Sequence, residues 1–460
     1  MKSKNIAVIL SGGSGTRFGG QMPKQYLNLA GKMIIEYTIE AFETHPLIDE
    51  ICIIANLEFH ETLHKIITVN GYQKTFRILE GGIHRSDSSY AAIRAYTNEK
   101  NSIALIFHDA VRPFVSKRII SECIKALKHY CAIDVAIPSA DTIIQIDPEN
   151  NTIETIPNRS LLRRGQTPQA FTLKTIQQAH EALQKDPRPI NVTDDCGLVR
   201  HYLSHLPIYV VPGEEKNIKI TYPEDLLFAE KLIQLNSRQL TPEGTLSPLK
   251  DKVIVVYGGH SGIGEAIVKM GTDIGAICLP LSRKNGVDLK KTDDITLSLQ
   301  TIFERYGHID HVINCAALLS KQSLEETDDA TIEETILTNY TAAVLLCKYA
   351  LPYLKHTHGS LTLFTSSSYT KGRALYALYS STKAAIVNLT QALAHEWQID
   401  QVRINAINPA RTKTPMRIAN FGHEPCETLL DANDVARKTL QSLLSGYSGL
   451  TIDIKKGIDG

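Results

Sequence analysis

A tyrosine and a lysine stand four residues apart in the segment YSSTK, at Tyr379 and Lys383. On a helix, this spacing places the two side chains on one face, one turn apart. A free tyrosine has a pKa of about 10 and is a poor proton donor at neutral pH, but a neighbouring ammonium group stabilises the phenolate and lowers that pKa. The pair therefore predicts a general acid suited to protonating a carbonyl oxygen during its reduction.

The same half of the chain carries a glycine-rich turn of the kind that receives a dinucleotide. A strand predicted at residues 252–257 runs into GGHSGIG, and a helix follows near Glu265. Pyrophosphate binds at such a helix N-terminus, where backbone N–H groups lack intrahelical partners. Taken alone, the turn is equally compatible with a structural role. Its predicted cofactor-binding residues are Gly258, Ser261, Gly262, Ile263 and Gly264.

Three further segments accompany this pair and this turn: NCAA at 314–317, a serine cluster at 366–368 and NAINP at 405–409. With them, the chain resembles the short-chain dehydrogenase/reductase family over residues 251–460. The resemblance implies a doubly wound parallel sheet that binds a nicotinamide cofactor.

The resemblance also implies roles for individual residues. Tyr379 donates the proton, Lys383 binds the cofactor ribose and tunes Tyr379, and Ser366 polarises the substrate carbonyl, with Ser367 as the alternative serine. The other residues implied are Asn339, which holds a relay water, and Asn314, Ala316 and Asp288, which contact the cofactor.

The end of the second strand of this half indicates which nicotinamide cofactor is used. The segment LSRK at 281–284 lacks the acidic residue that hydrogen-bonds a free ribose 2′-hydroxyl. Arg283 instead suits a 2′-phosphate, although a solvated surface arginine is the alternative interpretation. We therefore expect NADPH.

In the first half, a strand predicted at 6–10 runs into the loop SGGSGTRFGG. Glycines there let backbone N–H groups converge on an anion, and a triphosphate is the natural occupant. The spacing matches neither the Walker pattern nor G-x-G-x-x-G, so the loop alone is equally typical of a flavin or dinucleotide site or of a structural turn. Its candidate ligand-binding residues are Gly12, Gly13, Gly15 and Thr16, with countercharge from Arg17 and Lys24.

Five ordered motifs sharpen this interpretation: PKQ at 23–25, GGIHRSDS at 81–88, HDAVRP at 108–113, QTPQ at 166–169 and NIKIT at 217–221. Together they make the first half resemble the methylerythritol-phosphate and ribitol-phosphate cytidylyltransferases. The resemblance implies a Rossmann-like fold that binds CTP and Mg²⁺, with a β-hairpin arm exchanged between the subunits of a homodimer.

This second resemblance assigns further roles. Arg17 and Lys24 meet the triphosphate and the charge of the transition state, Lys219 lies beside the α-phosphate, and Asp109 binds the magnesium ion. Whether a second carboxylate binds the metal stays open, because Lys216 replaces an acidic residue that many relatives have. The remaining substrate-binding candidates are Gly81, Gly82 and Ser88 around the base, Arg159 on the arm at the acceptor's phosphate, Arg85, and Arg112, for which a role in structuring the loop is the alternative.

The elements that must position these residues form two α/β domains. Short apolar strands alternate with helical segments, which is typical of parallel sheets. Polar alternation around DPENN at 147–151 predicts the hairpin arm. We expect a nucleotidyltransferase-type domain at 1–235, a linker at 236–250 and a short-chain dehydrogenase/reductase domain at 251–460.

Composition excludes other classes. The 49 basic residues balance 49 acidic ones, so we expect no nucleic-acid partner. No stretch reaches the roughly 18 apolar residues of a membrane span. Eight scattered cysteines without a C-x-x-C pair favour a reducing compartment, and we expect a cytoplasmic protein without a zinc site.

The fusion suggests that one domain supplies the other. We expect reduction of D-ribulose 5-phosphate to D-ribitol 5-phosphate with NADPH, followed by CMP transfer from CTP to give CDP-ribitol and pyrophosphate for capsule or teichoic-acid type polymers. The alternatives are a methylerythritol-phosphate cytidylyltransferase fused to an unrelated reductase, and an inactive nucleotide-sensing scaffold. The exact sugar, channelling and the oligomeric state stay open.

A phosphorylated ketose also needs an anion anchor in the reductase. Basic residues flank the predicted substrate side of Tyr379, and Arg373 is the leading candidate. The other candidates are Lys371, Arg411, Lys413 and Arg417.

Overall fold

The computed structural model describes residues 4–13, 22–82, 84–99, 102–187, 193–235 and 245–456. The chain forms two compact units, Met1–Ala229 and Glu230–Gly460. The division between them falls within the helix Pro223–Leu235, ahead of the linker expected at 236–250. Within the described ranges, no helix is both long and apolar enough to cross a membrane.

The first unit is built on a seven-stranded sheet. Six strands are parallel, and one strand, Arg163–Thr172, runs antiparallel to both of its neighbours. The strands in spatial order are Ile208–Pro212, Ala132–Pro138, Arg163–Thr172, Ile103–Asp109, Lys4–Ser11, Glu50–Ala55 and Thr75–Glu80. The helices of this part are Ile34–Glu43, His60–Asn70, Arg85–Tyr96, Lys117–Ala126, Leu173–Lys185, Asp195–Tyr202 and Pro223–Leu235.

A β-hairpin arm leaves this sheet. Its strands Gln145–Asp147 and Thr152–Thr155 pair antiparallel and form a separate two-stranded sheet. Isoleucines along it are exposed, including Ile146 at 45% and Ile153 at 58%. The polar alternation of the sequence correctly predicted this arm.

The second unit is built on a six-stranded sheet in which every pairing is parallel. Its strands in spatial order are Ile277–Leu281, Val253–Tyr257, His311–Asn314, Ser360–Phe364, Arg403–Pro409 and Thr451–Ile454. Its helices are Gly262–Asp273, Thr292–Tyr306, Asp329–Ile336, Ala342–Thr357, Ala377–Glu396, Pro415–Phe421 and Ala432–Leu443.

Most strands of the two sheets are continuous apolar runs in the sequence, because helices cover both faces of each sheet. The strands Glu50–Ala55 and Val253–Tyr257 are buried along their whole length. Parallel strands end at one edge of each sheet, where loops collect polar side chains. That edge carries the candidate site in each unit, and the α/β fold class expected from the sequence is confirmed.

Candidate active sites

The strand Ile103–Asp109 ends at the carboxylate that anchors the first site. Asp109 Oδ2 lies 3.0 Å from Lys219 Nζ and 3.4 Å from Arg112 Nε. Burial raises the pKa of Asp109, but the cations of Lys219, Arg85 and Arg112 outweigh burial and hold that pKa well below its ordinary value. Asp109 is therefore an ionised carboxylate at neutral pH.

A buried amide supports the loop that carries Lys219. The side-chain Nδ2 group of Asn217 donates to the backbone carbonyl oxygen of Thr167 at 2.8 Å, and the backbone carbonyl oxygen of Asn217 accepts from Arg112 Nη1 at 2.8 Å. Asn217 is completely buried, whereas the neighbouring Lys216 is exposed. Arg112 therefore braces the loop as well as pairing with Asp109.

Two glycine loops approach each other at Ser88. A Cβ atom added to Gly12 would lie 3.3 Å from Ser88 Oγ, and one added to Gly81 would lie 3.1 Å from the same oxygen. The N–H of Gly82 donates to Ser88 Oγ at 3.3 Å. Because Gly12 and Gly81 have no side chains, a flat ligand such as a base can approach the backbone at this sheet edge.

The PKQ segment at residues 23–25 holds the start of the glycine loop by hydrogen bonds. Gln25 Nε2 donates to the carbonyl oxygens of Ser11 at 2.8 Å and Gly13 at 3.1 Å. Lys24 precedes Gln25 in a short 3₁₀ turn, Lys24–Tyr26. This turn brings Lys24 to the start of the loop, while Gly15, Thr16 and Arg17 lie outside the described residues.

Sequence reasoning missed an acidic residue behind the first site. Asp195 is 2% exposed and lies 2.5 Å from Arg85 Nη1. It also accepts from Ser89 Oγ at 3.1 Å and lies 3.3 Å from His180 Nε2. Burial alone lowers the pKa of Arg85, but the charges of Asp195 and Asp109 raise it above its ordinary value. Asp195 therefore positions a permanently charged Arg85.

One of the predicted residues, Arg159, lies apart from this cluster. Arg159 is exposed at the base of the arm, where its Nη1 donates to the carbonyl oxygen of Ala140 at 3.2 Å. No contact among the described residues joins it to Asp109. Nor does any group of three His, Cys, Asp or Glu side chains in that part of the chain lie close enough to hold a metal ion.

In the second unit, Tyr379 and Lys383 lie on the helix Ala377–Glu396. Lys383 Nζ is 5.6 Å from the centre of the Tyr379 ring and donates to the carbonyl oxygen of Phe364 at 2.9 Å. Burial lowers the pKa of Lys383 to about 8. Burial also raises the pKa of Tyr379, and a hydrogen bond with Ser366 opposes part of that rise.

The sequence predicted a lowered tyrosine pKa, and the structure gives the opposite direction. The physical reason is that burial of Tyr379 outweighs its favourable contacts, while the ammonium of Lys383 is directed to Phe364. Tyr379 therefore holds its proton at neutral pH. A proton donor needs that state, and the deprotonated form is required only in the reverse reaction.

Ser366 and Ser367 of the serine cluster contact different partners. Ser366 shares a hydrogen bond with Tyr379, whereas Ser367 Oγ accepts from Arg373 Nη2 at 3.1 Å. Ser368 Oγ donates to Ser366 Oγ at 3.2 Å. The geometry therefore brings Ser366 to the proton donor and leaves Ser367 with the candidate phosphate anchor.

Asn339 lies in a single turn of π-helix, Leu337–Thr341, a feature that is frequent at functional sites. Its Oδ1 accepts from the N–H of Leu318 at 2.7 Å, and its Nδ2 donates to the carbonyl oxygen of Leu318 at 2.8 Å. Asn339 thus fixes the segment that follows the strand His311–Asn314. On that strand, Asn314 Oδ1 accepts from the N–H of Ala316 at 3.1 Å.

A cleft of about 480 Å³ lies beside Tyr379 and Lys383. Gly258 has φ +76°, and a Cβ there would lie 2.8 Å from the backbone nitrogen of Ala316, so only glycine fits. The predicted cofactor residues that line this cleft are Gly258, Ser261, Gly262, Ile263, Gly264, Arg283, Asp288 and Ala316.

The end of the cleft near Arg283 is basic. Ser282 Oγ lies 2.9 Å from His260 Nδ1, and Lys284 Nζ donates to the carbonyl oxygen of His260 at 3.2 Å. His260 and Lys284 both line the cleft, and the sequence reasoning missed them. Lys284 directly follows Arg283, which was the available signal for that residue, whereas His260 is 24 residues before Lys284 and only the fold brings the two together.

Each unit thus has its polar side chains at the carboxyl ends of a largely parallel sheet. One site presents glycines, cations and an ionised carboxylate, and the other presents a glycine turn and a Tyr–Lys pair. They define a nucleotidyltransferase joined to a short-chain oxidoreductase.

Comparison with known proteins identifies the family. The model for 2-C-methyl-D-erythritol 4-phosphate cytidylyltransferase matches residues 5–235, and that for short chain dehydrogenase matches residues 284–424. The chain is 44% identical, over 98% of its length, to the bifunctional ribulose 5-phosphate reductase/CDP-ribitol pyrophosphorylase Bcs1 of Haemophilus influenzae, and covers 96% of that protein. The chain belongs to the family of that two-domain protein.

Other similarities cover half of the chain. It is 40% identical to the 2-C-methyl-D-erythritol 4-phosphate cytidylyltransferase of Thermobifida fusca, over 51% of this chain and 94% of that protein. The solved 4-diphosphocytidyl-2C-methyl-D-erythritol synthase of Anaerococcus prevotii is 30% identical, with a TM-score of 0.45, over 50% of this chain and 96% of that one.

Proposed function

We propose that this chain reduces D-ribulose 5-phosphate to D-ribitol 5-phosphate with NADPH, and then transfers CMP from CTP to give CDP-ribitol and pyrophosphate. The observation that carries the proposal is the presence of both candidate sites in one chain, which is similar along nearly its whole length to a protein named for these two activities. CDP-ribitol is an activated ribitol donor, which suits capsule or teichoic-acid type polymers.

In the reductase site, the chain's own residues prepare a carbonyl for reduction. The hydroxyl groups of Ser366 and Tyr379 share a hydrogen bond, so both reach one carbonyl oxygen. Tyr379 transfers its proton to that oxygen as the carbonyl carbon is reduced, and the nearby ammonium of Lys383 stabilises the phenolate that remains. When bound, NADPH supplies the hydride.

The cofactor cleft supports NADPH over NADH. A 2′-phosphate needs cations, and Arg283 and Lys284 both line the cleft. A guanidinium group pairs with phosphate through two parallel hydrogen bonds.

In the cytidylyltransferase site, the phosphate of ribitol 5-phosphate attacks the α-phosphate of CTP and pyrophosphate leaves. Little covalent help is needed, because positioning and cations that meet developing charge supply most of the catalysis. Lys219 and Arg112 are cations beside Asp109, and Lys24 lies in the 3₁₀ turn whose Gln25 holds the start of the glycine loop.

The residues present fit a magnesium ion. Mg²⁺ is usually held by one or two carboxylates together with substrate phosphates, and Asp109 is a buried, ionised carboxylate at the sheet edge. When bound with CTP, the ion would neutralise phosphate charge.

A purified chain supplied with ribulose 5-phosphate, NADPH and CTP should form CDP-ribitol. Omission of NADPH should stop product formation, and ribitol 5-phosphate should restore it. The rival proposal predicts instead that 2-C-methyl-D-erythritol 4-phosphate is the better acceptor. Comparing kcat/KM for the two alcohol phosphates decides between them.

Location and assembly belong to the same proposal. All eight cysteines are free thiols, which is typical of a reducing compartment and supports the cytoplasm. The exposed isoleucines of the arm support a homodimer, because apolar surface of this kind is usually covered by a partner.

A further inference from the structure

Three arginines and one glutamate form a group whose charges all act on Tyr376, one helical turn before Tyr379, and we call it the arginine cluster: Arg373, Arg411, Arg417 and Glu424. Two separate segments supply them. Arg373 reaches the site through Ser367, the neighbour of the serine that is bonded to Tyr379. The positive charge of Arg417 also lowers the pKa of Tyr379, but less than the hydrogen bond with Ser366 does.

Arg417 is the most firmly held member of the cluster. Its Nε and Nη2 groups donate to the two carboxylate oxygens of Glu424 at 2.6 and 2.9 Å. Its guanidinium carbon lies 3.7 Å from the centre of the Phe421 ring, and Phe421 stacks on Tyr376 with centroids 6.0 Å apart. A guanidinium fixed on two sides loses little further freedom when it binds a ligand.

The bonding pattern leaves one edge of Arg417 for a ligand. Glu424 occupies Nε and Nη2, and the described part of the chain gives Nη1 no hydrogen-bond acceptor. Arg411 Nη1 lies 4.0 Å from the same carboxylate and its side chain is 59% exposed. Hydrogen bonds from Arg417 lower the pKa of Glu424, so this carboxylate is ionised.

The charges of the cluster do not cancel. The cluster holds three guanidinium groups and one carboxylate, so two positive charges remain, which matches a phosphate monoester of charge about −1.5 to −2. By contrast, Lys413 Nζ is directed to Cys426 Sγ at 3.7 Å. The cluster is therefore an anion site next to the proton donor.

We propose that the arginine cluster binds the phosphate group of the ketose substrate and that Arg417 is its fixed point. The reductase then accepts phosphorylated ketoses and discriminates against neutral ones. This inference rests on the proposed function and adds to it the residue that sets substrate class. It also moves the leading role from Arg373, the sequence-based candidate, to Arg417.

The test compares Arg417→Ala and Arg417→Lys with the unaltered chain, following NADPH oxidation with ribulose 5-phosphate and with ribulose. Arg305→Ala is the matched control, because Arg305 also packs on an aromatic ring but lies at the C-terminal end of the helix Thr292–Tyr306. In an alternating α/β fold, that end is opposite the carboxyl edge of the sheet.

Arg417→Ala should raise KM for ribulose 5-phosphate about tenfold to a hundredfold, because hydrogen bonds to charged groups contribute about 1.5–3 kcal/mol. It should leave kcat/KM for ribulose unchanged and weaken competitive inhibition by inorganic phosphate by a similar factor. Arg417→Lys should recover part of the loss, and Arg305→Ala should show none.

An equal loss of kcat/KM for both ketoses would overturn the inference, since it would indicate a merely structural arginine. An unchanged KM and phosphate inhibition constant would overturn it as well. If the unaltered chain does not reduce ribulose 5-phosphate at all, the proposed function is wrong, and this inference is wrong with it.

Discussion

The buried carboxylate of Asp195 lies 2.5 Å from Nη1 of Arg85, so an ion pair anchors the helix Arg85–Tyr96 behind the nucleotide site. The side chain of Asp195 is 2% exposed and that of Arg85 27%. The pair fixes the direction of a cation whose charge reaches Asp109.

Asp195→Asn should destabilise the cytidylyltransferase half by about 3–5 kcal/mol, because it leaves a buried guanidinium without its counter-ion. The measurement is the temperature at which half of the CTP-dependent activity is lost, with NADPH-dependent activity followed in the same sample. The first should fall and the second should not. Glu122→Gln is the control, since it breaks an exposed pair with Arg118 that contributes at most about 1 kcal/mol.

Tyr379→Phe should abolish CDP-ribitol formation from ribulose 5-phosphate, because it removes the proton donor and keeps the ring. Loss of a general acid costs about 10²–10⁴ in rate. Formation from supplied ribitol 5-phosphate should stay near normal. Product formation from ribulose 5-phosphate and NADPH at the normal rate would show that the reductase assignment is wrong.

Lys24→Ala should have the reverse effect, sparing NADPH oxidation and stopping CTP consumption, because its charge serves phosphoryl transfer in the other unit. Both activities are measured on one preparation. Loss of both would contradict the independence of the two sites.

Arg283→Ala should reduce kcat/KM for NADPH about ten- to a hundredfold and leave that for NADH nearly unchanged, because the lost contact is to the 2′-phosphate. The unaltered chain should prefer NADPH strongly. Equal efficiencies with the two cofactors before the substitution would refute the role of Arg283.

The reductase should lose kcat/KM as pH rises through about 8. Burial lowers the pKa of Lys383 to about 8, so its ammonium is charged below that pH and lost above it. The pKa of Tyr379 is raised, so the tyrosine keeps its proton across this range and the alkaline decline belongs to Lys383. A profile that stays level to pH 9.5 would be inconsistent with this assignment.

Much of the fold could be predicted, because buried parallel strands such as Val253–Tyr257 are short apolar runs between helical segments. The strand Arg163–Thr172 could not, since it begins with two arginines and contains Pro168, which argues against a central strand. Its register shifts between Gln166 and Ala170, and this irregularity accommodates the proline.

Residues within a motif could be placed from the sequence, because local structure fixes their spacing. Partners that are distant in sequence could not. Adjacent aspartates such as Asp194 and Asp195 are typical of a helix N-terminus, and Asp194 accepts from the N–H of Gly197 at 2.7 Å. Only the tertiary fold brings Asp195 to Arg85, 110 residues earlier in the chain.

The arm has a consequence for how this family diverges. Arg163 pairs with Pro138 across adjacent antiparallel strands, so residues 139–162 leave and re-enter the sheet at neighbouring points. A segment whose ends are already adjacent costs little extra closure entropy when its length changes. Insertions and replacements in the arm can therefore accumulate while the nucleotide site, carried by other strand ends, keeps its geometry. If Arg159 on the arm binds the acceptor, as expected from the sequence, acceptor preference can change in this way without loss of CTP use.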